Sequence, residues 1–267
     1  MSVIYNNQPI GIFDSGVGGL SIAKSVTSLL PNESIIYLAD TLHAPYGNLN
    51  AEQIKGRVNT IAQWFVNQNA KALVIACNTA TVNAIDQLRT LINIPIIGVE
   101  PAIKPAVELS STHKIAIMVT QATANNIRFT NLVNSHKNGA DVYIQACPGL
   151  VEVVETDQIR SERCHTLLQQ YLAPLINSQV DTLVLGCTHY PFLSEKIRSI
   201  LGTKITLVET SAPVAKQLKR QLDFHGLNAQ VSHLPQAIFY STKANNQQET
   251  IFSHLWEKNI SLENVTI

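Results

Sequence analysis

The sequence is poor in charged residues and shows no excess of either sign. Only 14% of its 267 residues are Asp, Glu, Lys or Arg, whereas 45% are apolar, so a sizeable buried core is expected. Lys and Arg together number 19, as do Asp and Glu. This balance gives no electrostatic basis for a nucleic-acid or anionic-membrane partner, and we expect neither. An acidic small molecule would have to be held by local dipoles.

The sequence also has few cysteines, and their spacing excludes two common uses of this residue. Cys77, Cys147, Cys164 and Cys187 form no C-x-x-C pair and no dense framework, which argues against a zinc ribbon and a disulfide scaffold. The first residues lack a basic segment followed by an apolar one, and no apolar run approaches the roughly 18 residues of a membrane span. These absences predict a reduced, cytoplasmic protein with free thiols.

Short apolar runs alternate with segments of helical periodicity along nearly the whole chain. Continuous runs of Val, Ile and Leu indicate strands covered on both faces, and their alternation with helices indicates parallel sheets with right-handed crossovers. Helices are predicted over 51–69, 79–92 and 159–177, and the polar stretch 242–249 is expected to be loosely ordered. The predicted strands cover residues 9–13, 34–39, 72–76, 94–99, 114–119, 141–146, 182–186 and 204–208.

Two parts of the chain resemble each other. "KALVIACNT" (71–79) matches "DTLVLGCTH" (181–189), which places Cys77 and Cys187 in register, 110 residues apart. Further matching pairs are 88–102 with 197–212 and 11–21 with 116–126. Duplication explains these matches and predicts an α/β fold of two similar three-layer domains with parallel sheets, related by a pseudo-twofold axis. Because ligands of open α/β sheets bind beyond the carboxyl ends of the strands, the active site is expected in the cleft between the domains.

The two cysteines in register suggest acid–base chemistry. Each is expected where a strand gives way to a helix, whose amides and dipole lower the pKa of a thiol. A cysteine at a strand end is often only a small apolar filler, and we keep that interpretation for Cys147 and Cys164. For Cys77 and Cys187, the shared register and the polar residues that follow favour a chemical role. Opposed acid–base groups suit inversion of a tetrahedral carbon, because one removes a proton from one face and the other delivers a proton to the opposite face.

Polar segments near the thiols allow more than one interpretation. Gly16, Gly18 and Gly19 predict a tight turn with exposed amides, but they match neither the dinucleotide-binding pattern nor a P-loop. Asp14 could cap a helix, which the residue alone favours, or it could assist a thiol. "APYGN" (44–48) predicts a turn whose amides could hold a carboxylate.

His189 has three interpretations: a structural histidine, a metal ligand together with Cys187, or a proton-transfer partner. A zinc site needs two more convergent ligands, and no spacing in the sequence supplies them. An acidic Asp14 in the analogous place near Cys77 favours proton transfer. We therefore expect no metal at this position.

The motifs "DSGVGG", "ACNTA" and "GCTHYP", in this order, resemble those of the glutamate racemase family, and the resemblance covers about residues 9–215. It implies a cofactor-independent isomerase that interconverts L- and D-glutamate by two-base proton transfer at Cα and supplies D-glutamate for peptidoglycan biosynthesis. It also implies a homodimer. The implied domains are 1–99 plus 211–267, with the last segment returning to the first domain, and 100–210.

The resemblance also assigns residues. It implies that Cys77 and Cys187 are the catalytic thiols and that Asp14 and His189 assist them. A family glutamate near the second thiol matches Glu155, with Glu152 as the alternative. The implied substrate contacts are Asp14, Ser15, Pro45, Tyr46, Gly47, Asn78, Thr79, Thr188 and His189.

Some positions depart from the family pattern. His43 stands where Arg is frequent, Glu209 stands where Asp is common, and a looser match around 119–126 leaves the roles of Thr120 and Thr123 open. None of these positions is one of the two thiols, so the expected reaction type is unchanged. Two alternatives remain. One is a racemase of another acidic amino acid such as aspartate, and the other is a two-domain binding protein, which would have no reason to present two matched thiols.

Overall fold

Two parallel β-sheets form the framework of the computed structural model, which describes residues 6–176 and 178–267. Every neighbouring pair of strands within each sheet is parallel. The described strands are β1 (Ile10–Asp14), β2 (Ile35–Ala39), β3 (Ala72–Ile75), β4 (Ile96–Gly98), β5 (Lys114–Val119), β6 (Asp141–Ala146), β7 (Thr182–Leu185), β8 (Thr206–Val208), β9 (Ala237–Ser241) and β10 (Leu262–Asn264).

Helices alternate with these strands. The helices in the described ranges are α1 (Leu20–Leu29), α2 (Ala51–Asn67), α3 (Asn78–Leu91), α4 (Ile103–Leu109), α5 (Gln121–Ala124), α6 (Ile127–His136), α7 (Leu150–Glu155), α8 (Glu162–Ile176), α9 (Ser194–Leu201), α10 (Ser211–His225) and α11 (Asn246–Trp256). Position 177, the last of the predicted helix 159–177, lies outside the described residues. A membrane span would need a longer and more apolar helix than any of those described.

The strand orders of the two sheets reveal the duplication. The first sheet has the order β10-β9-β2-β1-β3-β4, and the second has the order β6-β5-β7-β8. Strands β1 to β4 therefore correspond one by one to β5 to β8. Cys77 and Cys187 each follow the last residue of the matching strands β3 and β7 by two positions. The predicted fold class of two related α/β domains with parallel sheets is confirmed.

Both faces of each sheet are covered by helices, which explains the uninterrupted apolar runs. In β1, Ile12 packs into a core with α1 and α10, whereas the next residue, Phe13, packs into a separate core with α2 and α3. In β5, Met118 and Val119 also point into different cores. The core that contains Ile12 continues into the second domain through α7 and α8, so an apolar layer joins the two domains.

The C-terminal segment extends the first sheet. The sequence did not predict strands β9 and β10; β9 lies beside β2, and β10 lies beside β9. The stretch 242–249 is ordered, contrary to expectation, because the Asn245 side chain accepts a hydrogen bond from the Gln248 N–H at 2.9 Å and caps α11. The membership of β9 and β10 in the first sheet supports the domain boundaries proposed from the sequence, 1–99 plus 211–267 and 100–210, which stay a prediction.

A buried ion pair lies at the amino end of the first sheet, away from the cleft. Lys71 Nζ is 2.5 Å from Glu33 Oε2, and both side chains are almost fully buried. Glu33 Oε1 also accepts a hydrogen bond from the Ala229 N–H at 2.8 Å. The pair thus ties the starts of β2 and β3 to the segment after α10.

Glu33→Gln should lower the free energy of unfolding by about 3 kcal/mol, because removal of one partner leaves the Lys71 ammonium buried without its counter-charge. Urea denaturation measures the change. The control is Asp223→Asn, which removes the exposed Lys219–Asp223 pair on α10 and should have little effect. Equal denaturation midpoints for Glu33→Gln and the wild type would contradict the role given to the buried pair.

Candidate active site

One cleft of about 580 Å³ collects residues from the carboxyl ends of both sheets. The two thiols of Cys77 and Cys187 both line it, one from each domain. The other lining residues are Ser15, Pro45, Tyr46, Gly47, Asn48, Asn78, Thr79, Thr120, Gln121, Cys147, Pro148, Gly149, Val151, Glu152, Thr188 and His189.

Cys77 occupies the N-cap position of α3. Its Sγ accepts a hydrogen bond from the Ala80 N–H at 3.4 Å and, as a thiol, donates to Ser15 Oγ at 3.7 Å. Burial and the charge of Asp14 nevertheless raise the pKa of Cys77 to about 12. The expectation that the helix N-terminus would favour thiolate is wrong for this residue, because desolvation outweighs the amide. Cys77 is therefore a protonated thiol at neutral pH.

Cys187 has a different environment. Its Sγ lies 3.6 Å from His189 Nδ1, and His189 Nε2 lies 2.5 Å from Glu155 Oε1. A helix N-terminus was expected here as well, but a 3-10 turn at Tyr190–Leu193 intervenes and α9 begins only at Ser194. This second expectation is also wrong, and histidine takes the place of the helix amides.

His189 is held as an imidazolium. Burial by itself would lower the pKa of His189, but hydrogen bonds to Cys187 and Glu155, together with their charges, outweigh burial and raise it well above the usual value. In this form both ring nitrogens donate, one to each partner. The Cys187 sulfur therefore lies beside a positively charged group that is itself paired with Glu155. Within the described ranges, no group of three or more His, Cys, Asp and Glu side chains could hold a metal ion.

Asp14 is not a helix cap, so the interpretation that the residue alone favoured is wrong. The N-cap of α1 is Gly19, whereas Asp14 Oδ1 accepts a hydrogen bond from the Gly16 N–H at 2.8 Å. Asp14 Oδ2 accepts another from Thr188 Oγ1 in the second domain at 3.0 Å. Burial raises the pKa of Asp14, and the nearby charge of His189 only partly offsets this effect. Asp14 acts on Cys77 through its charge, without a direct hydrogen bond among the described contacts.

The glycines after β1 allow the second domain to approach closely. A Cβ on Gly16 would collide with the Glu155 carboxylate, and one on Gly18 would collide with His189 Nδ1. The loop also uses its backbone, because the Val17 N–H donates to Glu155 Oε1 at 2.8 Å. The predicted tight turn with exposed amides therefore binds a carboxylate of the protein itself.

The structure brings most of the predicted site residues together and places two of them behind the cleft wall. Asp14 and Glu155 do not line the cleft but contact residues that do. Glu155 contacts His189, whereas Glu152 lines the cleft and makes no side-chain hydrogen bond among the described residues. Of the residues left open, Thr120 lies on the cleft wall, 3.0 Å from the Thr79 hydroxyl.

Several cleft residues were not predicted from the sequence. These are Asn48, Gln121, Cys147, Pro148, Gly149 and Val151. Asn48 is the last residue of the predicted turn 44–48, but it was not named among the expected substrate contacts. The segment 147–151 carries only apolar and small residues, so no chemical signal marked it as part of the site.

Comparisons with known proteins agree on one family. Residues 20–218 match the family model described as Asp/Glu/Hydantoin racemase. The glutamate racemase of Pseudomonas syringae pv. tomato is 46% identical over 224 residues, which are 84% of this chain and 82% of that protein. A crystal structure of a glutamate racemase isoform from Bacillus anthracis is 31% identical and superposes with a TM-score of 0.90 over 98% of both chains. The glutamate racemase of Francisella tularensis, solved with D-glutamate, is 31% identical with a TM-score of 0.85 over 97% of this chain and 98% of that one.

Glu155→Gln should lower the pKa of His189, because the substitution removes the negative charge that favours the imidazolium. Deprotonation of His189 should then begin at a lower pH than in the wild type. NMR titration of protein labelled at histidine measures this directly, without a substrate.

The matched control for this titration is Glu152→Gln, which makes the same change three residues earlier on α7. It should leave the His189 titration within experimental error of the wild type. An unshifted titration in Glu155→Gln, or an equal shift in both variants, would contradict the assignment of Glu155 as the partner of His189.

Proposed function

The chain belongs to the Asp/Glu/Hydantoin racemase family, and we propose that it is a glutamate racemase that inverts Cα with two opposed thiols and no cofactor. One observation carries the proposal: Cys77 and Cys187 follow corresponding strands of the two sheets and line the same cleft. The three relatives named above are glutamate racemases, and one of them was solved with D-glutamate. These names support glutamate as the substrate over aspartate.

The two thiols differ in a way that suits the reaction. Cys77 carries a proton at neutral pH, whereas Cys187 faces the imidazolium of His189. With the substrate Cα between them, the Cys187 sulfur takes the Cα proton from one face and Cys77 gives its proton to the other face. One C–H bond breaks and one forms, and the two sulfurs exchange protonation states. The reverse reaction starts from the exchanged state.

Neutral donors and acceptors would hold the substrate. The first amides of α3 at Asn78 and Thr79, with the hydroxyl of Thr79, can receive a carboxylate at the cleft wall. The buried Asn78 Oδ1 has no hydrogen-bond partner within the described part of the chain, which leaves it free to accept from a substrate ammonium. These fixed dipoles also stabilise the charge that develops when Cα loses its proton.

The proposal has a finer part that rests on the family resemblance. It includes a cytoplasmic homodimer and the supply of D-glutamate to peptidoglycan biosynthesis.

Purified protein given L-glutamate alone should produce D-glutamate, measured by circular dichroism without added pyridoxal phosphate or metal. The same assay with L-aspartate tests the alternative that the protein is an aspartate racemase. Fast turnover of aspartate with negligible turnover of glutamate would overturn the proposal in favour of the other racemase. Binding of glutamate without turnover would favour the binding-protein alternative.

Cys77→Ala and Cys187→Ala should each lower kcat by about 10³-fold or more, because each removes one of the two acid–base groups. The control is Cys164→Ala, which truncates a buried thiol in α8 away from the cleft and should keep kcat near that of the wild type. Near-normal activity in either of the first two variants would refute the two-thiol mechanism.

In D₂O, product formed early in the reaction should carry deuterium at Cα while recovered substrate carries little. The reason is that the proton taken by one thiol does not return to the same face, and the opposite thiol delivers deuterium from solvent exchange. Mass spectrometry of the separated enantiomers measures both pools. Equal labelling of substrate and product would indicate a single base.

A further inference from the structure

A buried carboxylate behind the cleft wall gathers an unusually dense set of hydrogen bonds. Asp40 directly follows β2 at the carboxyl end of the first sheet, and its side chain is fully buried. Arg57 donates to it twice, from Nε at 2.7 Å and from Nη2 at 2.8 Å. Tyr46 Oη donates at 2.7 Å, His43 Nδ1 lies 3.0 Å away, and Thr242 Oγ1 donates at 3.1 Å.

This set keeps Asp40 ionised. Burial alone would raise the pKa of Asp40, but the hydrogen bonds from Arg57 and Tyr46 and the charge of Arg57 outweigh burial and lower it. Arg57 lies on α2 and is held at its other side as well, because its Nη1 donates to the backbone oxygen of Ile267 at 2.6 Å. A bidentate Arg–carboxylate pair fixes direction as well as distance. The Asp40–Arg57 pair is therefore a rigid anchor between β2, α2 and the C-terminal segment.

The anchor reaches the cleft through Tyr46. Tyr46 and Gly47 line the cleft, yet their segment consists of two 3-10 turns, Thr41–His43 and Tyr46–Asn48, with no longer helix or strand to hold it. The Tyr46 side chain is 1% exposed, and its hydroxyl hydrogen bond goes to Asp40. The position of this wall thus depends on the anchor more than on secondary structure.

We propose that Asp40 and Arg57 are positioning residues that hold Tyr46 and Gly47 in place as a preformed wall of the substrate cleft. The proposal rests on the proposed function, in which this wall contacts the substrate. Neither Asp40 nor Arg57 lines the cleft, so neither touches the reacting atoms. A wall that contacts ground state and transition state alike contributes uniform binding, and its loss raises KM while kcat stays nearly constant.

Asp40→Asn is the first test. It replaces an acceptor oxygen facing Arg57 with an amide donor and removes the charge. We expect the KM for glutamate to rise about tenfold and kcat to change less than about threefold, since a displaced wall weakens binding without altering the two thiols. The deuterium pattern in D₂O should match that of the wild type.

The matched control is Glu33→Gln, which breaks the other buried carboxylate–cation pair of the same sheet, at the end away from the cleft. It should lower stability but leave KM unchanged. Two milder variants cover the case in which Asp40→Asn does not fold. Tyr46→Phe removes only the hydroxyl, and Arg57→Lys keeps the charge but loses the bidentate contact, so both should raise KM by smaller factors than Asp40→Asn.

A second measurement does not depend on the substrate. The amides of Asn48 and Leu49 donate to the backbone oxygens of Pro45 and Tyr46 at 3.1 and 3.2 Å. Their hydrogen exchange should accelerate at least tenfold in Asp40→Asn or, if that variant does not fold, in Arg57→Lys, but not in Glu33→Gln.

The outcomes separate the two proposals. Wild-type KM and wild-type exchange in the folded Asp40 and Arg57 variants would overturn the positioning role, as would an equal rise of KM in Glu33→Gln. If the wild type does not turn over glutamate, the proposed function falls, and selective acceleration of exchange at Asn48 and Leu49 still decides whether the anchor holds the wall.

Discussion

The site depends on one carboxylate, that of Glu155, which contacts one group from each domain. Glu155 Oε1 accepts from the Val17 N–H of the first domain and lies 2.5 Å from His189 Nε2 of the second. His189 and Glu155 both belong to the second domain, and the Val17 N–H of the glycine-rich loop holds the same carboxylate oxygen from the first domain. Asp14 adds a second link of the same kind, since it accepts from Thr188. The glycines at 16 and 18 provide the space for these contacts between the domains.

Duplication supplied two similar halves, but the two thiol environments diverged. After β3, the chain enters α3 immediately, and Cys77 receives an amide hydrogen bond while burial and Asp14 keep it protonated. After β7, a 3-10 turn delays the helix, and His189 stands beside Cys187 instead. Cys77 is thus the thiol with the raised pKa, and Cys187 is the thiol that contacts His189, which is the difference that the proposed mechanism uses.

Features that local patterns and the internal repeat encode could be predicted from the sequence, whereas features that depend on contacts between distant residues could not. The eight strands 9–13 to 204–208 and the register of Cys77 with Cys187 follow from apolar runs and from the repeat. Strands β9 and β10 were missed because both are partly exposed, so no uninterrupted buried run of the kind seen in β1 to β3 marks them. The interpretation of Asp14 as a cap and the expected thiolate at Cys77 were wrong for a related reason. Both depend on burial by the other domain, which no window of sequence displays.

Burial of Cys77 has a consequence for the strength of the base. The α-proton of an amino acid is a very weak acid, so a thiolate with a high pKa removes it more readily than one with a low pKa. A pKa of about 12 would leave almost no thiolate at equilibrium. In the proposed two-thiol scheme, Cys77 would become a thiolate by giving its proton to the substrate while Cys187 takes a proton, so the total charge of the two thiols would stay constant. No Lys or Arg lies among the described lining residues, so no fixed cation pairs with that thiolate and weakens it. For the same reason, an anionic substrate would be held in this cleft by amide and hydroxyl groups rather than by cationic side chains.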